Sequence, residues 1–193
     1  MKAVGNLPED YRQIYSVDLQ KNKKVAVLVN GLAIVIAALM AIPMHFVIPF
    51  YTVFSTAGDV GSVFVKYGVM LVLLIVYMVM HEFVHGIAMK LCGTKKVKYG
   101  FTGMYAFAGS EDFYDKSAYI FIALAPVVLW GVVLAVINPF VPVGWFWIVY
   151  FIQITNLSGA AGDLFVTVKF LRMPKDVLIR DYGVGMNVYS KEL

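Results

Sequence analysis

Four long apolar stretches, separated by shorter polar segments, dominate the chain. They cover residues 25–47, 63–90, 117–137 and 143–168. A helix of about 20 apolar residues crosses the roughly 30 Å of a bilayer's hydrocarbon core, and each stretch reaches that length. The pattern therefore predicts four transmembrane helices.

The loop between the second and third apolar stretches has a different pattern. Residues 97–108 alternate aromatic residues with small ones and glycines, which favours a β-hairpin that turns near Thr102-Gly103. The expected fold class is an all-α membrane protein: a four-helix transmembrane bundle with this small hairpin between its second and third spans. We expect residues 1–193 to form a single membrane-embedded domain.

The two ends of the chain are polar. Residues 1–24 carry mixed charge and predict a cytosolic arm. A short helix lying in the membrane interface is the alternative, because some apolar residues of the arm fall near helical spacing. Residues 169–193 predict a cytosolic tail, with a small hairpin around residues 181–183.

The composition supports the membrane assignment. Of the 193 residues, 61% are hydrophobic and only 15% are charged, which excludes an ordinary soluble domain. The single cysteine, Cys92, excludes an intramolecular disulfide.

Basic residues indicate the orientation. Every lysine and arginine except Lys66 lies in residues 1–24, 90–116 or 169–191. Short segments rich in lysine and arginine stay on the cytosolic side. Four crossings with both termini in the cytosol place all three groups there, so we expect a multi-pass protein of the cell membrane. The net charge of +4 then reflects topology, and we expect no nucleic-acid partner.

A His-Glu-x-x-His motif at residues 81–85 lies inside the second apolar stretch. On a helix, His81 and His85 are one turn apart on one face and can bind the same zinc ion, while Glu82 can act as the general base. The alternative is a pair of histidines packed in a helix core. Ionisable residues inside a membrane span usually have a function, so the motif predicts a metal site.

A catalytic zinc site needs a third protein ligand. Asp163 is the candidate, because a carboxylate inside the membrane is costly unless it meets a cation. His85 lies five residues before Lys90, and Asp163 lies six before Lys169. At 1.5 Å per residue, both are therefore about 8 Å below the same interface. A protonated Asp163 in a helix–helix hydrogen bond is the alternative.

Other residues compete for a role in the site. Glu111 and Glu192 are the remaining downstream glutamates that could supply the third ligand, and His45 lies near the opposite membrane face. Asn156 is two helical turns before Asp163 on the same face. Its amide could donate to the oxyanion, or it could join helices through a hydrogen bond.

The motif in one span, with Asn156 and Asp163 in a later one, resembles the site-2 protease family of intramembrane zinc metallopeptidases. Two positions depart from that family's pattern: Gly159 replaces its proline, and Leu164 replaces the glycine after the aspartate. Residues 156–176 are similar, more closely still, to a bacterial family of small zincin-type membrane peptidases.

This resemblance implies a function. Zn²⁺ would be held by His81, His85 and Asp163, Glu82 and Asn156 would be the catalytic residues, and the substrate would be a membrane protein or peptide in the lipid bilayer. The hairpin would offer an edge strand to that substrate. A non-enzymatic metal-binding membrane protein, either a scaffold or a transporter, is the main alternative. A member that binds partners without activity, and a hydrolase of lipids or other amides, also stay open, as does the oligomeric state.

Overall fold

The computed structural model describes residues 3–18, 22–55, 59–103, 106–183 and 185–191. Most of these residues are helical, in α1 (Lys23–Val47), α2 (Thr52–Ser55), α3 (Val60–Leu91), α4 (Lys116–Ile137), α5 (Val143–Gly159) and α6 (Ala161–Leu171). A 3₁₀ turn at Asn138–Phe140 follows α4. The strands are β1 (Ala3–Val4), β2 (Tyr11–Asp18), β3 (Lys98–Phe101), β4 (Ala106–Gly109), β5 (Phe113–Asp115), β6 (Leu178–Asp181) and β7 (Gly185–Lys191).

Three helices are long and apolar enough to cross a membrane: α1, α3, and α4 together with its 3₁₀ turn. They coincide with the first three predicted spans. Many of their large apolar side chains are exposed, among them Leu39, Phe64 and Val132. Exposed apolar surface of this extent is typical of helices that contact lipid.

The fourth predicted span, residues 143–168, is not a single helix. α5 ends at Gly159 and α6 begins at Ala161. Between them the N–H of Ala160 donates to the carbonyl of Ser158 instead of continuing the helical ladder. Glycine weakens a helix by about 1 kcal/mol relative to alanine, and a glycine flanks the break on each side. A bundle of four spanning helices therefore stays a prediction.

The predicted helix-rich character is confirmed, but the strands extend well beyond the small hairpin. Five strands form an antiparallel sheet in the order β1-β5-β6-β7-β2, and β3 pairs with β4 in a second sheet. The larger sheet joins the two ends of the chain, since Tyr11 in β2 lies opposite Lys191 in β7. Pairing between segments so far apart depends on tertiary structure, which a local pattern does not report.

The N-terminal segment shows why the sheet was missed. Residues 11–18 are strand β2, so both an interfacial helix and a plain arm are wrong for them. The pairing of β2 with β7 shifts by one residue between Gln13 and Tyr15. A β-bulge of this kind interrupts the two-residue alternation of a strand. The apolar side chains at positions 11, 14 and 15 therefore fell at a helix-like spacing.

The hairpin predicted at residues 97–108 is confirmed. β3 and β4 pair antiparallel, with Lys98 opposite Gly109. Gly103, near the predicted turn, has a φ of +88°, which glycine adopts without steric penalty. Met104 and Tyr105, which also belong to the predicted hairpin, lie outside the described residues.

The hairpin predicted near residues 181–183 is also present. β6 and β7 pair antiparallel, and Asp181 lies opposite Met186. Gly183 lies in the connection with a φ of +96°. The predicted tail is thus part of the larger sheet.

The chain divides into two compact units. We call the described residues of Met1–Val29, Met80–Pro126 and Gly162–Leu193 the motif unit, and those of Asn30–Val79 and Val127–Ala161 the helix unit. The single membrane-embedded domain over 1–193 stays a prediction.

Each unit has its own apolar core. In the motif unit, buried side chains from α3, α4, α6 and the larger sheet pack together, among them Met89, Tyr114, Ile122, Phe170 and Val188. This core supports the end of α3 that carries the His-Glu-x-x-His motif. In the helix unit, an aromatic cluster from α5 packs with Val53 of α2.

Candidate metal centre

The two motif histidines lie side by side on α3. Their ring centroids are 4.9 Å apart, as expected for residues one helical turn apart. Both are buried, with exposed fractions of 8% for His81 and 9% for His85.

Asp163 completes a cluster with these histidines. It lies in the first turn of α6, directly after the break that ends α5. Its Oδ2 atom is 3.7 Å from Nε2 of His81 and 3.8 Å from Nε2 of His85. Within the part of the chain that the structure describes, these three residues form the group whose ligand atoms all lie within 4.8 Å of one another.

The spacing of the ligand atoms fits a metal ion. In a tetrahedral zinc site with bonds of about 2.0–2.2 Å, neighbouring ligand atoms are about 3.4 Å apart. The observed separations of 3.7 and 3.8 Å are close to that value. They are too long for a hydrogen bond, which spans roughly 2.7–3.2 Å between nitrogen and oxygen, so Asp163 does not form a hydrogen bond with the Nε2 atom of either histidine.

A backbone contact orients His85. Its Nδ1 atom is 2.9 Å from the carbonyl oxygen of Ile122 in α4. A carbonyl oxygen accepts only, so Nδ1 carries the proton and a neutral His85 presents a lone pair at Nε2. That lone pair faces the Asp163 carboxylate, and two electron-rich atoms in such an arrangement favour a cation between them.

The catalytic candidate Glu82 lies beside the small hairpin. It is half-buried, and its carboxyl accepts a hydrogen bond from the backbone of Ala108 in β4. The hydroxyl of Tyr99 in β3 lies against α3, because a Cβ added at Gly86 would overlap it. Burial, followed by the negative charge of Glu82, raises the pKa of Tyr99.

The small hairpin packs closely on the turn between β6 and β7, because glycines leave room for the ring of Phe107. The ring of Phe107 occupies the space that a Cβ would need at Gly100 and at Gly183. The N–H of Ser110 also donates to the carbonyl of Asp181 at 2.8 Å. The C-terminal segment therefore helps to position the strand beside Glu82.

Asp181 is a partly buried acid at this turn. Its carboxylate accepts from the Tyr119 hydroxyl at 2.7 Å and from the N–H of Gly183 at 2.8 Å. Burial raises the pKa of Asp181 from 3.8 to about 6, with a smaller contribution from the charge of Asp163, while the two hydrogen bonds lower it.

Asn156 belongs to the helix unit and is fully buried. Its Oδ1 accepts from the Tyr77 hydroxyl at 3.0 Å, and its Nδ2 donates to the carbonyl of Val127 at 3.0 Å. These bonds match the alternative in which Asn156 joins helices. The catalytic role of Asn156 stays a prediction.

The competing ligands lie in other settings. Glu111 is exposed and forms ion pairs with Lys98 and Arg180, while Glu192 lies outside the described residues. His45, in the helix unit, accepts a hydrogen bond from the N–H of Phe50 at 3.1 Å.

Sequence reasoning missed three groups beside the cluster: the carbonyl of Ile122, the N–H of Ala108 and the hydroxyl of Tyr99, which lies against Gly86. The last two reach the motif through tertiary packing and have no local signal. Ile122 had one, since it lies four residues before Pro126 in a predicted helix, and proline deprives that carbonyl of its helical donor.

Comparison with known protein families identifies the family of this chain. Residues 74–178, more than half of the 193-residue chain, match the family model DUF3267, described as "Putative zincin peptidase". The matched segment contains the motif, the small hairpin and Asp163. A search of curated proteins found no match, and neither did a search of solved structures. The description suggests zinc and metallopeptidase activity for the family. Because the match covers more than half of the chain, this protein belongs to the DUF3267 family.

Proposed function

We propose that the protein is an intramembrane zinc metallopeptidase that hydrolyses peptide bonds of membrane-associated substrates near the cytosolic face. The observation that carries this proposal is the convergence of His81, His85 and Asp163, with ligand atoms within 4.8 Å of one another. The zincin description of the family supports zinc as the metal.

The side chains have distinct roles in this proposal. His81, His85 and Asp163 would hold the metal. The chemistry that zinc would supply when bound is Lewis acidity towards the scissile carbonyl and the attacking water. Glu82 takes the proton of that water and delivers it to the leaving amine. A carboxylate is required for this transfer, whereas a purely structural metal site does not need it.

The membrane arrangement is part of the proposal. α5 and α6 together make the fourth crossing, so both termini, the small hairpin and the larger sheet lie on the cytosolic side. The distribution of lysine and arginine supports this orientation. His85 and Asp163 then lie close to the cytosolic interface, from which water can reach them.

The small hairpin suits an extended substrate. Within the described residues, β3 and β4 pair only with each other, so neither has a second strand partner. The N–H of Ala108 on β4 points towards Glu82. A substrate segment that adds to β4 gains main-chain hydrogen bonds and brings its peptide bond beside the general base. The segment must be unwound, because a helical amide is shielded by its own hydrogen bonds.

The test combines zinc content with proteolysis in detergent. Wild type should contain about one zinc per chain and cleave fluorescein-labelled casein or a single-span membrane peptide. Glu82→Gln should keep its zinc but lose activity by at least about a hundredfold, the lower range for general acid–base catalysis. Wild-type activity in Glu82→Gln would contradict the mechanism.

Two controls sharpen this test. His81→Ala and His85→Ala should lose the zinc, whereas His45→Ala, which removes the histidine outside the motif, should keep both zinc and activity. If wild type binds zinc but Glu82→Gln and wild type are equally inactive on a broad panel of membrane peptides, the non-enzymatic alternative is favoured.

A further inference from the structure

Pro126 lies inside α4, among buried side chains of the motif unit. Proline has no backbone N–H, so it cannot donate to the carbonyl four residues earlier in a helix. That carbonyl belongs to Ile122, whose residue is only 2% exposed. A buried carbonyl without a donor is unfavourable, so a donor from elsewhere in the fold is favoured at this point.

His85 supplies that donor. Its Nδ1 lies 2.9 Å from the Ile122 oxygen, and the contact is buried. The proton is thereby held on Nδ1, and the lone pair of the neutral ring is held on Nε2, 3.8 Å from the Asp163 carboxylate. The ring cannot rotate or exchange tautomers without losing this hydrogen bond.

We propose that Pro126 is a positioning residue for the metal centre: by freeing the Ile122 carbonyl, it fixes His85 in the tautomer and orientation that direct Nε2 at the metal. This inference rests on the proposed metal site. It assigns a function to a proline that is not one of the proposed metal ligands. Partners that orient a metal-binding histidine in this way typically change metal affinity by about 10–100-fold when they are lost.

The test replaces Pro126 by alanine, a strong helix former. The new N–H at position 126 can donate to Ile122 and competes with His85 for that oxygen. Pro43 provides a matched control, because it also lies inside a membrane-crossing helix, α1, but belongs to the helix unit. Zinc affinity is measured by competition with a chelator for wild type, Pro126→Ala and Pro43→Ala.

We expect Pro126→Ala to bind zinc about tenfold more weakly, and Pro43→Ala to stay within about twofold of wild type. Equal zinc affinity in wild type and Pro126→Ala would overturn the proposal.

A second measurement needs neither zinc nor activity. Side-chain ¹⁵N chemical shifts of histidine-labelled, metal-free protein report which ring nitrogen carries the proton. The three histidines are assigned with His45→Ala and His81→Ala. Wild type should show His85 protonated at Nδ1, and Pro126→Ala should show a mixture of tautomers. Protonation of wild-type His85 mainly at Nε2 would overturn the proposal even if Pro126→Ala failed to fold.

These readouts separate two failures. If wild type binds no zinc, the proposed function fails, and the positioning role fails with it. If wild type binds zinc and Pro126→Ala matches it in zinc affinity or in the tautomer of His85, the positioning role alone fails.

Discussion

The motif unit and the helix unit both bury polar side chains, but they use them differently. In the helix unit, both the oxygen and the nitrogen of the Asn156 side-chain amide form hydrogen bonds, to Tyr77 and to Val127 respectively. Lys66 is buried as well, and its Nζ donates to the carbonyl of Val53. These polar groups are satisfied by their neighbours, which is the usual state of buried polar atoms in a stable fold.

The motif unit also has buried polar groups that bond one another, such as Thr94, Tyr114 and Ser110, but the side chains of the candidate metal centre are arranged differently. Nε2 of both motif histidines faces the same carboxylate oxygen at a distance beyond hydrogen bonding. The other ring nitrogen of His85, Nδ1, donates a hydrogen bond to the backbone carbonyl of Ile122. The comparison teaches a distinction between two sets of residues: Asn156 and Lys66 stabilise the fold through their hydrogen bonds, whereas the convergence of His81, His85 and Asp163 marks the candidate site.

The largest effects should come from replacing one polar residue of each kind by alanine. Asp163→Ala should lose zinc while the free energy of unfolding of the metal-free protein does not fall, because the carboxylate makes no hydrogen bond to the histidines. Asn156→Ala should keep zinc but lower the free energy of unfolding by about 1–3 kcal/mol, since two buried hydrogen bonds disappear. Zinc content and denaturant unfolding in detergent measure both.

Asn187→Ala is the matched control for that comparison, because its side chain bonds Ser16 at an exposed position and its loss should change stability by less than about 0.5 kcal/mol. If Asn156→Ala instead leaves the free energy of unfolding unchanged and lowers kcat, Asn156 has the predicted catalytic role. The distinction between structural residues in the helix unit and site residues in the motif unit would then be wrong.

A smaller effect should separate two glycines of α3. Gly86→Ala overlaps the Tyr99 hydroxyl, whereas nothing lies within 4 Å of a Cβ at Gly68. Helix propensity alone favours alanine by about 1 kcal/mol. Gly68→Ala should therefore stabilise the protein. Gly86→Ala should destabilise it, but should become stabilising in a Tyr99→Ala background. Unfolding of the four Gly86/Tyr99 combinations measures this reversal, and additive effects would show that Tyr99 does not pack on α3.

A last effect is a pH dependence in the motif unit. Because burial raises the pKa of Asp181 from 3.8 to about 6, the folded chain keeps a proton between about pH 4 and pH 6 that the unfolded chain releases. The contribution of Asp181 to stability therefore falls as the pH rises through that window and is constant above it. Asp181→Asn does not titrate, so the melting temperature of metal-free wild type relative to this variant should decrease between pH 4 and pH 6. A difference that is constant with pH would contradict the raised pKa.

Local properties of the chain determined several features. The lengths and apolar composition of the first three stretches suffice to predict α1, α3 and α4, since membrane-crossing helices satisfy their backbone within one segment. The four-residue spacing of His81 and His85 places them on one helix face. The depth of Asp163 below the interface indicated a candidate third ligand, and the glycines of residues 97–108 indicated the small hairpin.

Only the tertiary structure decided the rest. The larger sheet joins segments from both ends of the chain, and the bulge in β2 hid its alternation. The break between α5 and α6 places Asp163 in a first helical turn, which the apolar pattern of residues 143–168 did not indicate. The bond from His85 to Ile122 unites a motif on one helix with a carbonyl that a proline released on another. Such contacts depend on the approach of segments distant in sequence, and no periodicity within either segment encodes that approach.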